Sequence, residues 1–129
     1  MIEPRWLSVK EVIRLHALQL VEFGGKTGTR DENLLGSAVS RPRQRYSYGE
    51  LRTLVDIAAA YAAALNANHP FIDGNKRVSF HAALVFLRLH GLSLQATTGE
   101  ATEMMLALAA GHSGEADVRR WMNDNVRPT

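Results

Sequence analysis

Nine consecutive residues, HPFIDGNKR at positions 69–77, combine the side chains that phosphate chemistry requires. They include an imidazole at His69, a carboxylate at Asp73 and two cations at Lys76 and Arg77. An unperturbed imidazole titrates near neutral pH and suits a general base, and a carboxylate oxygen is a preferred ligand of Mg²⁺. A base, a metal ligand and positive charge in one short stretch are the parts of a phosphoryl or nucleotidyl transfer site.

The order of these residues predicts an anion site at the start of a helix. Asp73, Gly74 and Asn75 form a tight turn, after which the pattern becomes helical. A glycine in such a turn lets successive backbone N–H groups point at one spot, where an anion binds. Lys76 and Arg77 fall in the first helical turn, where the helix dipole disfavours each cation by about 0.3–1 kcal/mol. A phosphate held by the N–H groups, the Asn75 amide and both cations would remove that penalty.

The same residues also permit a structural interpretation. Asp73 would then only cap the helix, and His69 would bond a backbone carbonyl. Lys76 and Arg77 would pair with glutamates elsewhere in the chain. Phe71, an apolar residue in a polar loop, is predicted to anchor the loop to the core under either interpretation. The joint spacing of the polar residues favours the functional one.

The rest of the sequence predicts an all-α fold, one compact domain over residues 1–129, in which the motif loop leads into a central buried helix. Helices are predicted over about residues 9–23, 31–41, 51–67, 75–90, 98–111 and 114–124. Capping boxes at Ser8 and Thr97 open the first and fifth, and Ser113 is expected to cap the last. The second helix is expected to stop before Pro42, because the residue before a proline avoids the helical region, which leaves 41–50 as a loop. The helix over 75–90 is apolar on most sides, which is typical of the buried centre of a domain. Residues 92–96 are predicted to be extended.

Composition excludes several classes of protein and site. The net charge of +2 is too balanced to indicate a nucleic-acid partner. No cysteine is present, so disulfides and thiolate metal sites are excluded. No apolar run approaches the roughly 18 residues of a membrane span. The N-terminal residues lack the basic start and apolar stretch of a signal peptide. We therefore expect a cytoplasmic protein with no membrane and no direct nucleic-acid partner.

The nine residues resemble the signature of the Fic superfamily, His-Pro-Phe-x-(Asp/Glu)-Gly-Asn followed by a small or basic residue and arginine. The chain is more closely similar to the death-on-curing (Doc) branch, toxins of toxin–antitoxin modules, through LSVKEVIRLH, FGGKTGTRDENLLGSAVSRP and FLRLHG as well as the motif. The resemblance implies an all-α Fic core that uses ATP and Mg²⁺. It also implies a role for each motif residue: His69 as the base for a target hydroxyl, Asp73 as the Mg²⁺ ligand, Gly74 as the opening of the anion hole, Asn75, Lys76 and Arg77 as phosphate ligands, and Phe71 as the loop anchor.

Two departures from the wider Fic pattern bear on the reaction. Most Fic enzymes transfer AMP to a protein hydroxyl, with glycine where this chain has Lys76 and a second arginine where it has Phe80. Doc-type toxins share the lysine and resemble kinases that bind ATP in the reversed sense and phosphorylate a threonine of translation elongation factor Tu. The resemblance therefore implies a protein kinase that modifies a Ser/Thr hydroxyl and arrests translation. Fic-type adenylylation is the alternative, since Pro70 and Gly74 belong to the broader pattern.

The resemblance also implies partners. The nearest match to the inhibitory (Ser/Thr)-x-x-x-Glu-(Gly/Asn) pattern is Glu32-Asn33, and it fails at Gly28. A Phd-like antitoxin is therefore expected to restrain the chain in trans, by folding a helix into a groove. The stretch GGKTGTR matches the Fic flap in position, so it is expected to dock the target. Its candidate docking residues are Gly25, Lys26 and Thr27.

Three further hypotheses remain at this stage. Arg41, Arg43 and Arg45 face either a nucleotide or target, or only solvent. The domain could also be an inactive regulator that binds its antitoxin, although the intact His69 argues against that. A metal-dependent nuclease is a weaker candidate, because no second acidic residue lies near Asp73 in the sequence.

Overall fold

The computed structural model describes residues 3–129, and its architecture is all-α, as predicted. Its six helices are α1 (Val9–Phe23), α2 (Glu32–Ser47), α3 (Leu54–Asn68), α4 (Asn75–Leu89), α5 (Thr98–Ala110) and α6 (Glu115–Asn125). Two short strands, β1 (Leu92–Leu94) and β2 (Val126–Pro128), pair antiparallel with Ser93 opposite Arg127. The extended segment expected after α4 is thus present, and its partner strand was not predicted. Within the described residues, no helix is both long and apolar enough to cross a membrane.

The centre of the fold is the pair α3 and α4, which flank the motif loop. Five alanines of α3 are buried, so α2, α4 and α6 can approach its backbone closely; they are Ala58, Ala59, Ala60, Ala62 and Ala64. The hydroxyl of Tyr61 accepts the Leu7 N–H at 2.9 Å and ties the segment before α1 to this core. The helix predicted at the centre is α4, but α3 is the more enclosed of the two. The motif loop is therefore held at each end by a well-packed helix, α3 before it and α4 after it.

The predicted helix starts are mostly confirmed. Ser8 and Thr97 form the expected capping boxes, with Glu11 and Glu100 respectively. The expected cap at Ser113 is wrong, because Gly114 is the N-cap of α6 and its N–H donates to the Asp117 carboxylate.

The prediction that α2 ends before Pro42 is wrong. The helix continues through Pro42 to Ser47, so the expected loop over 41–50 is mostly helical. A proline inside a helix costs about 3 kcal/mol through a lost hydrogen bond and a clash with the preceding turn. Here Leu35, Ala38, Val39 and Pro42 form one buried stripe. Burial of this stripe, together with the contact of Tyr46 with Trp6 at 5.4 Å between ring centroids, outweighs the local penalty.

Candidate active site

The motif loop begins at a strained residue. His69 ends α3 in the left-handed conformation (φ 50, ψ 52), and within residues 3–129 it is the only non-glycine residue with positive φ. This conformation costs about 1–2 kcal/mol for an L-residue. Arg30 holds it in place, because its Nε donates to the His69 carbonyl at 2.8 Å and its Nη2 to the Asn68 carbonyl at 3.0 Å. Such strain concentrates at functional sites, and here it fixes the backbone that carries the exposed imidazole.

Inside the loop, Asn75 and Phe71 form a closed ring of two hydrogen bonds. The Phe71 N–H donates to Asn75 Oδ1, and Asn75 Nδ2 donates to the Phe71 carbonyl, both at 2.9 Å. Both side chains are buried. One N–H of the Asn75 amide, which we expected to face phosphate, is therefore committed to the loop. The second amide N–H and the backbone N–H remain as donors, and the role of Asn75 as a phosphate ligand stays a prediction.

A buried histidine of α1, His16, packs against the motif loop on the core side. The His16 ring stacks on Phe71 with 3.8 Å between centroids and 6° between planes. Its Nε2 lies 2.7 Å from the Asp73 carbonyl oxygen, which can only accept, so Nε2 carries the proton. Sequence reasoning placed His16 among ordinary core or surface histidines. The only signal for its position is the four-residue step from buried Val12, which puts both on the inner face of α1.

The start of α4 is open toward the site. Gly74 is its N-cap in the left-handed region (φ 78) and carries no side chain that could close the helix end. Its own N–H donates to Asp73 Oδ1 at 2.8 Å. The next three N–H groups, of Asn75, Lys76 and Arg77, have no acceptor anywhere in residues 3–129. Three unpaired donors at a helix N-terminus form an anion-binding site.

The Asp73 carboxylate stands exposed beside these donors. The backbone N–H of Lys26, at 3.2 Å from Oδ2, and that of Gly74 hold the pKa of Asp73 below its ordinary value. Asp73 is therefore ionised at neutral pH, the form that a metal ligand needs. A Cβ on Gly25 would lie 2.9 Å from Asp73 Oδ2 at a φ of 126, so the position requires glycine.

A hard cation fits this donor set. Each Asp73 oxygen accepts one hydrogen bond and keeps a lone pair for a metal. Within the described part of the chain, no three His, Asp or Glu side chains cluster as a closed metal site. Mg²⁺ is commonly bound through one or two carboxylates, several waters and substrate phosphate rather than an all-protein cage.

The two cations at the start of α4 have no carboxylate partner. Of the ion pairs within 4.0 Å among residues 3–129, none includes Lys76 or Arg77. The Arg77 guanidinium instead lies over the Phe23 ring, 4.7 Å from its centroid. The structural interpretation, in which glutamates neutralise both cations, is wrong for the described residues.

One cavity of about 410 Å³ collects these groups. Its walls are Asn66, His69, Ile72, Asp73, Gly74, Asn75, Lys76, Arg77 and Ala109. The structure thus brings together an exposed imidazole, a carboxylate, open N–H donors and two cations. This arrangement can hold a phosphate and present it to a hydroxyl beside His69.

The flap, residues 24–30, packs against the motif loop. Thr29 forms a β-bridge with Phe71, and the Gly28 carbonyl accepts the Ile72 N–H at 3.1 Å. Of the predicted docking residues, Gly25 and Lys26 contact Asp73, and Thr27 is exposed. Sequence reasoning missed Arg30, whose contact with His69 spans 39 residues.

The three arginines of α2 lie away from the cavity. Arg45 pairs with Glu115 at 2.7 Å, Arg43 lies 3.7 Å from Glu3, and Arg41 is exposed. None of the three lines the cavity, so the hypothesis that they face the nucleotide receives no support from the structure.

Comparisons with known proteins show the family of the chain. The Fic/DOC family model matches residues 6–87, more than half of the chain. The chain is 33% identical over 90 residues to "Protein kinase doc" of Escherichia phage P1, covering 70% of this chain and 71% of that protein. It is 42% identical over 77 residues to "Toxin Doc" of Mycolicibacterium smegmatis, covering 59% of each.

Among solved structures, it is similar to the N-terminal Fic domain of a proposed cell filamentation protein from Bartonella quintana, a VirB-translocated Bep effector with bound ADP. That match has a TM-score of 0.43 and 20% identity over 73% of this chain and 50% of the other. The family match confirms the resemblance that the nine motif residues carry. The chain belongs to the Fic/DOC family.

Proposed function

We propose that this protein is a Doc-type toxin, a protein kinase that transfers the γ-phosphate of ATP to a Ser/Thr hydroxyl. One observation carries the proposal: His69, Asp73 and three open N–H groups face one cavity whose cations, Lys76 and Arg77, have no carboxylate partner. The similarity to a relative named a protein kinase supports it. So does Lys76, which the motif of AMP-transferring Fic enzymes replaces with glycine.

Under this proposal, each group performs one step of the transfer. The His69 imidazole takes the proton from the target hydroxyl, whose oxygen then attacks the γ-phosphorus. The bond from the γ-phosphorus to the β,γ-bridging oxygen breaks, and ADP leaves with the electron pair on that oxygen. Backbone N–H groups of α4 and the Arg77 guanidinium bind the phosphoryl oxygens as charge redistributes. Mg²⁺ at Asp73 would neutralise charge on the β- and γ-phosphate oxygens.

We further propose elongation factor Tu as the target and a Phd-like antitoxin as the partner in trans. The target rests on the Doc resemblance alone. The antitoxin proposal is supported by an apolar groove on this chain, between α1 and the flap. This groove is lined by Ile13, His16, Ala17, Leu20, Val21, Gly25, Thr27, Gly28, Thr29 and Phe71. Val21 is 86% exposed and Ile13 42%, which suits an amphipathic helix laid into the groove.

The test is to incubate the protein with elongation factor Tu, Mg²⁺ and ATP and to weigh the target intact by mass spectrometry. We expect the gain of one phosphoryl group, lost in His69→Ala. The matched control is His112→Ala, which removes an exposed histidine outside the cavity and should retain full transfer. A gain of one AMP group instead would establish adenylylation, because the same anion site accepts an α-phosphate. Growth arrest on expression of wild type and His69→Ala alike would contradict catalysis altogether.

A further inference from the structure

The end of α1 places an aromatic ring against one of the two unpaired cations of the site. The Cζ atom of Arg77 lies 4.7 Å from the centroid of the Phe23 ring, within the distance of a cation–π contact. Phe23 is the last residue of α1, and Arg77 lies in the first turn of α4. The contact therefore joins the end of one helix to the start of the other.

Phe23 is not part of the hydrophobic core. It is 54% exposed, and among residues 3–129 it belongs neither to the buried cluster nor to the partly buried residues that pack against that cluster. Single exposed apolar residues are common on protein surfaces, and replacing one usually changes stability little. Exposure alone therefore gives Phe23 no function, and its contact with Arg77 is the feature that distinguishes it.

An aromatic ring holds a cation in a different way from a carboxylate. The ring attracts the cation through its electron-rich face and leaves the charge in place. A carboxylate accepts the N–H groups of the guanidinium and neutralises its charge, as Glu115 does for Arg45. Arg77 is therefore held by Phe23 while its positive charge stays available to a ligand.

A guanidinium that is already held also binds at a lower entropic cost. An arginine side chain has many rotamers, and ordering it when a ligand binds weakens the affinity. Among the described residues, Arg77 lines the catalytic cavity and Phe23 does not. Phe23 can therefore act on a ligand in this cavity only through Arg77.

We propose that Phe23 is a positioning residue for Arg77, which it holds ready for phosphate oxygens at the start of α4. The inference rests on the proposed phosphate-transfer function and names the residue that prepares Arg77 for it. A cation–π contact at an exposed site corresponds to about a two- to fivefold change in a binding constant. Loss of the ring should weaken phosphate binding by about that factor.

The first experiment is a double-mutant cycle on phosphate binding, with inorganic tripolyphosphate as the probe and calorimetry as the measurement. Phe23→Leu keeps an apolar side chain but removes the ring, and it should raise the Kd about two- to fivefold. In an Arg77→Ala background the same change should leave the Kd unaltered, because the cation is gone. An equal rise in both backgrounds, or no rise in either, would overturn the proposal.

Rescue by another ring separates the aromatic face from the bulk of the side chain. Phe23→Tyr and Phe23→Trp each keep a ring, so both should bind tripolyphosphate as tightly as the wild type. Leu18→Ala is the matched control, because Leu18 is 56% exposed on the same helix and lies outside the lining of the cavity. It should leave the Kd unchanged. Binding by the Tyr and Trp variants as weak as that of Phe23→Leu would overturn the proposal.

The contact also has a spectroscopic signature that requires no ligand. A proton over the face of an aromatic ring is shifted upfield, so the Nε–H proton of Arg77 should resonate upfield of those of exposed arginines. Its loss in Arg77→Ala assigns the signal. The signal should move downfield in Phe23→Leu and stay in place in Leu18→Ala. A signal that Phe23→Leu does not move would overturn the contact and the proposal with it.

The outcomes separate this inference from the function on which it rests. Weaker tripolyphosphate binding and a moved Arg77 signal in Phe23→Leu, without transfer to any protein by the wild type, would support the positioning role and contradict the kinase. Equal transfer rates and equal Kd values for the wild type and Phe23→Leu would leave the kinase standing and overturn the positioning role. Failure of the wild type to bind tripolyphosphate would overturn both.

Discussion

Two groups of cations in this molecule have opposite surroundings. On the side where α2 meets α6, Arg45 donates to Glu115 at 2.7 Å and lies 3.8 Å from Glu50. The hydrogen bond to Glu115 is the main cause that raises the pKa of Arg45. At the start of α4, Arg77 and Lys76 have no carboxylate within 4.0 Å among residues 3–129, although the helix dipole there is itself positive.

The difference separates charges that hold the fold from charges that await a ligand. Arg45 is half-buried and its charge is neutralised inside the molecule, so its surroundings are complete. Arg77 has its aromatic contact with Phe23 and otherwise faces a cavity that already contains unpaired N–H groups. Local rules that are broken without internal compensation are expected where a protein binds something. An anion at the start of α4 would supply the compensation.

The largest expected effect is on transfer by Arg77→Ala. Loss of one preorganised donor to a reacting phosphate should lower the transfer rate about 100-fold or more, measured by target phosphorylation under saturating ATP. The melting temperature should fall only slightly, because the variant loses the contact with Phe23 but no internal ion pair. Arg77→Lys is the informative second variant: it keeps the charge but not the two-pronged geometry, and should recover part of the rate. A fully active Arg77→Ala would contradict the view that Arg77, unlike Arg45, binds a ligand.

A smaller effect on transfer, with a real effect on stability, is expected from His16→Phe. The ring still stacks on Phe71, but the donor to the Asp73 carbonyl is gone. We expect the free energy of unfolding to fall by about 1 kcal/mol and the transfer rate by about tenfold, because Asp73 loses its fixed position. Denaturant unfolding and target phosphorylation measure the two. A fall of about 1 kcal/mol in the free energy of unfolding with an unchanged transfer rate would show that His16 serves the fold only.

The features that the sequence predicted correctly are those that depend on residues close together in the chain. The motif turn, the helix that follows it and the caps at Ser8 and Thr97 depend on neighbouring residues, and they are where we expected them. The course of α2 through Pro42 depends on burial against α3, which outweighs the local rule. A window of sequence around Pro42 contains no sign of that contact.

The site was predicted in its residues but not in its supports. The residue types and spacing of Asp73 and Arg77 were enough to predict them as site residues. His16 acts on Asp73 across 57 residues and Arg30 on His69 across 39, and both contacts exist only once the helices are packed. The hydrogen bond from the Asn75 amide to the Phe71 carbonyl could not be predicted from the sequence either, because an asparagine suits both a phosphate ligand and a residue that stabilises the loop.

A purely structural effect is expected from Arg45→Met. Glu115 would lose its 2.7 Å partner at a site where each side chain is 23% exposed, so we expect the free energy of unfolding to fall by about 1 kcal/mol. Transfer should stay within about twofold of wild type. A double-mutant cycle with Glu115→Gln isolates the pair from other effects of each change. Additive single effects would show that the pair contributes nothing to stability.

The smallest effect concerns the carboxylates of the two regions in acid. Burial works to raise the pKa of Asp56, but the backbone N–H groups of Arg52 and Thr53, with the Thr53 hydroxyl, lower it below its ordinary value. A lowered pKa in the folded state stabilises above the unfolded value and is lost as pH falls through the folded value, so the loss appears below about pH 4. Asp56→Asn should therefore flatten the fall of the unfolding free energy in that range.

Asp73→Asn should flatten that fall less, because Asp73 is fully exposed. It should instead abolish the Mg²⁺ dependence of nucleotide binding at neutral pH. If both variants flatten the fall of the unfolding free energy equally and the Mg²⁺ dependence is intact, Asp73 serves stability rather than metal binding.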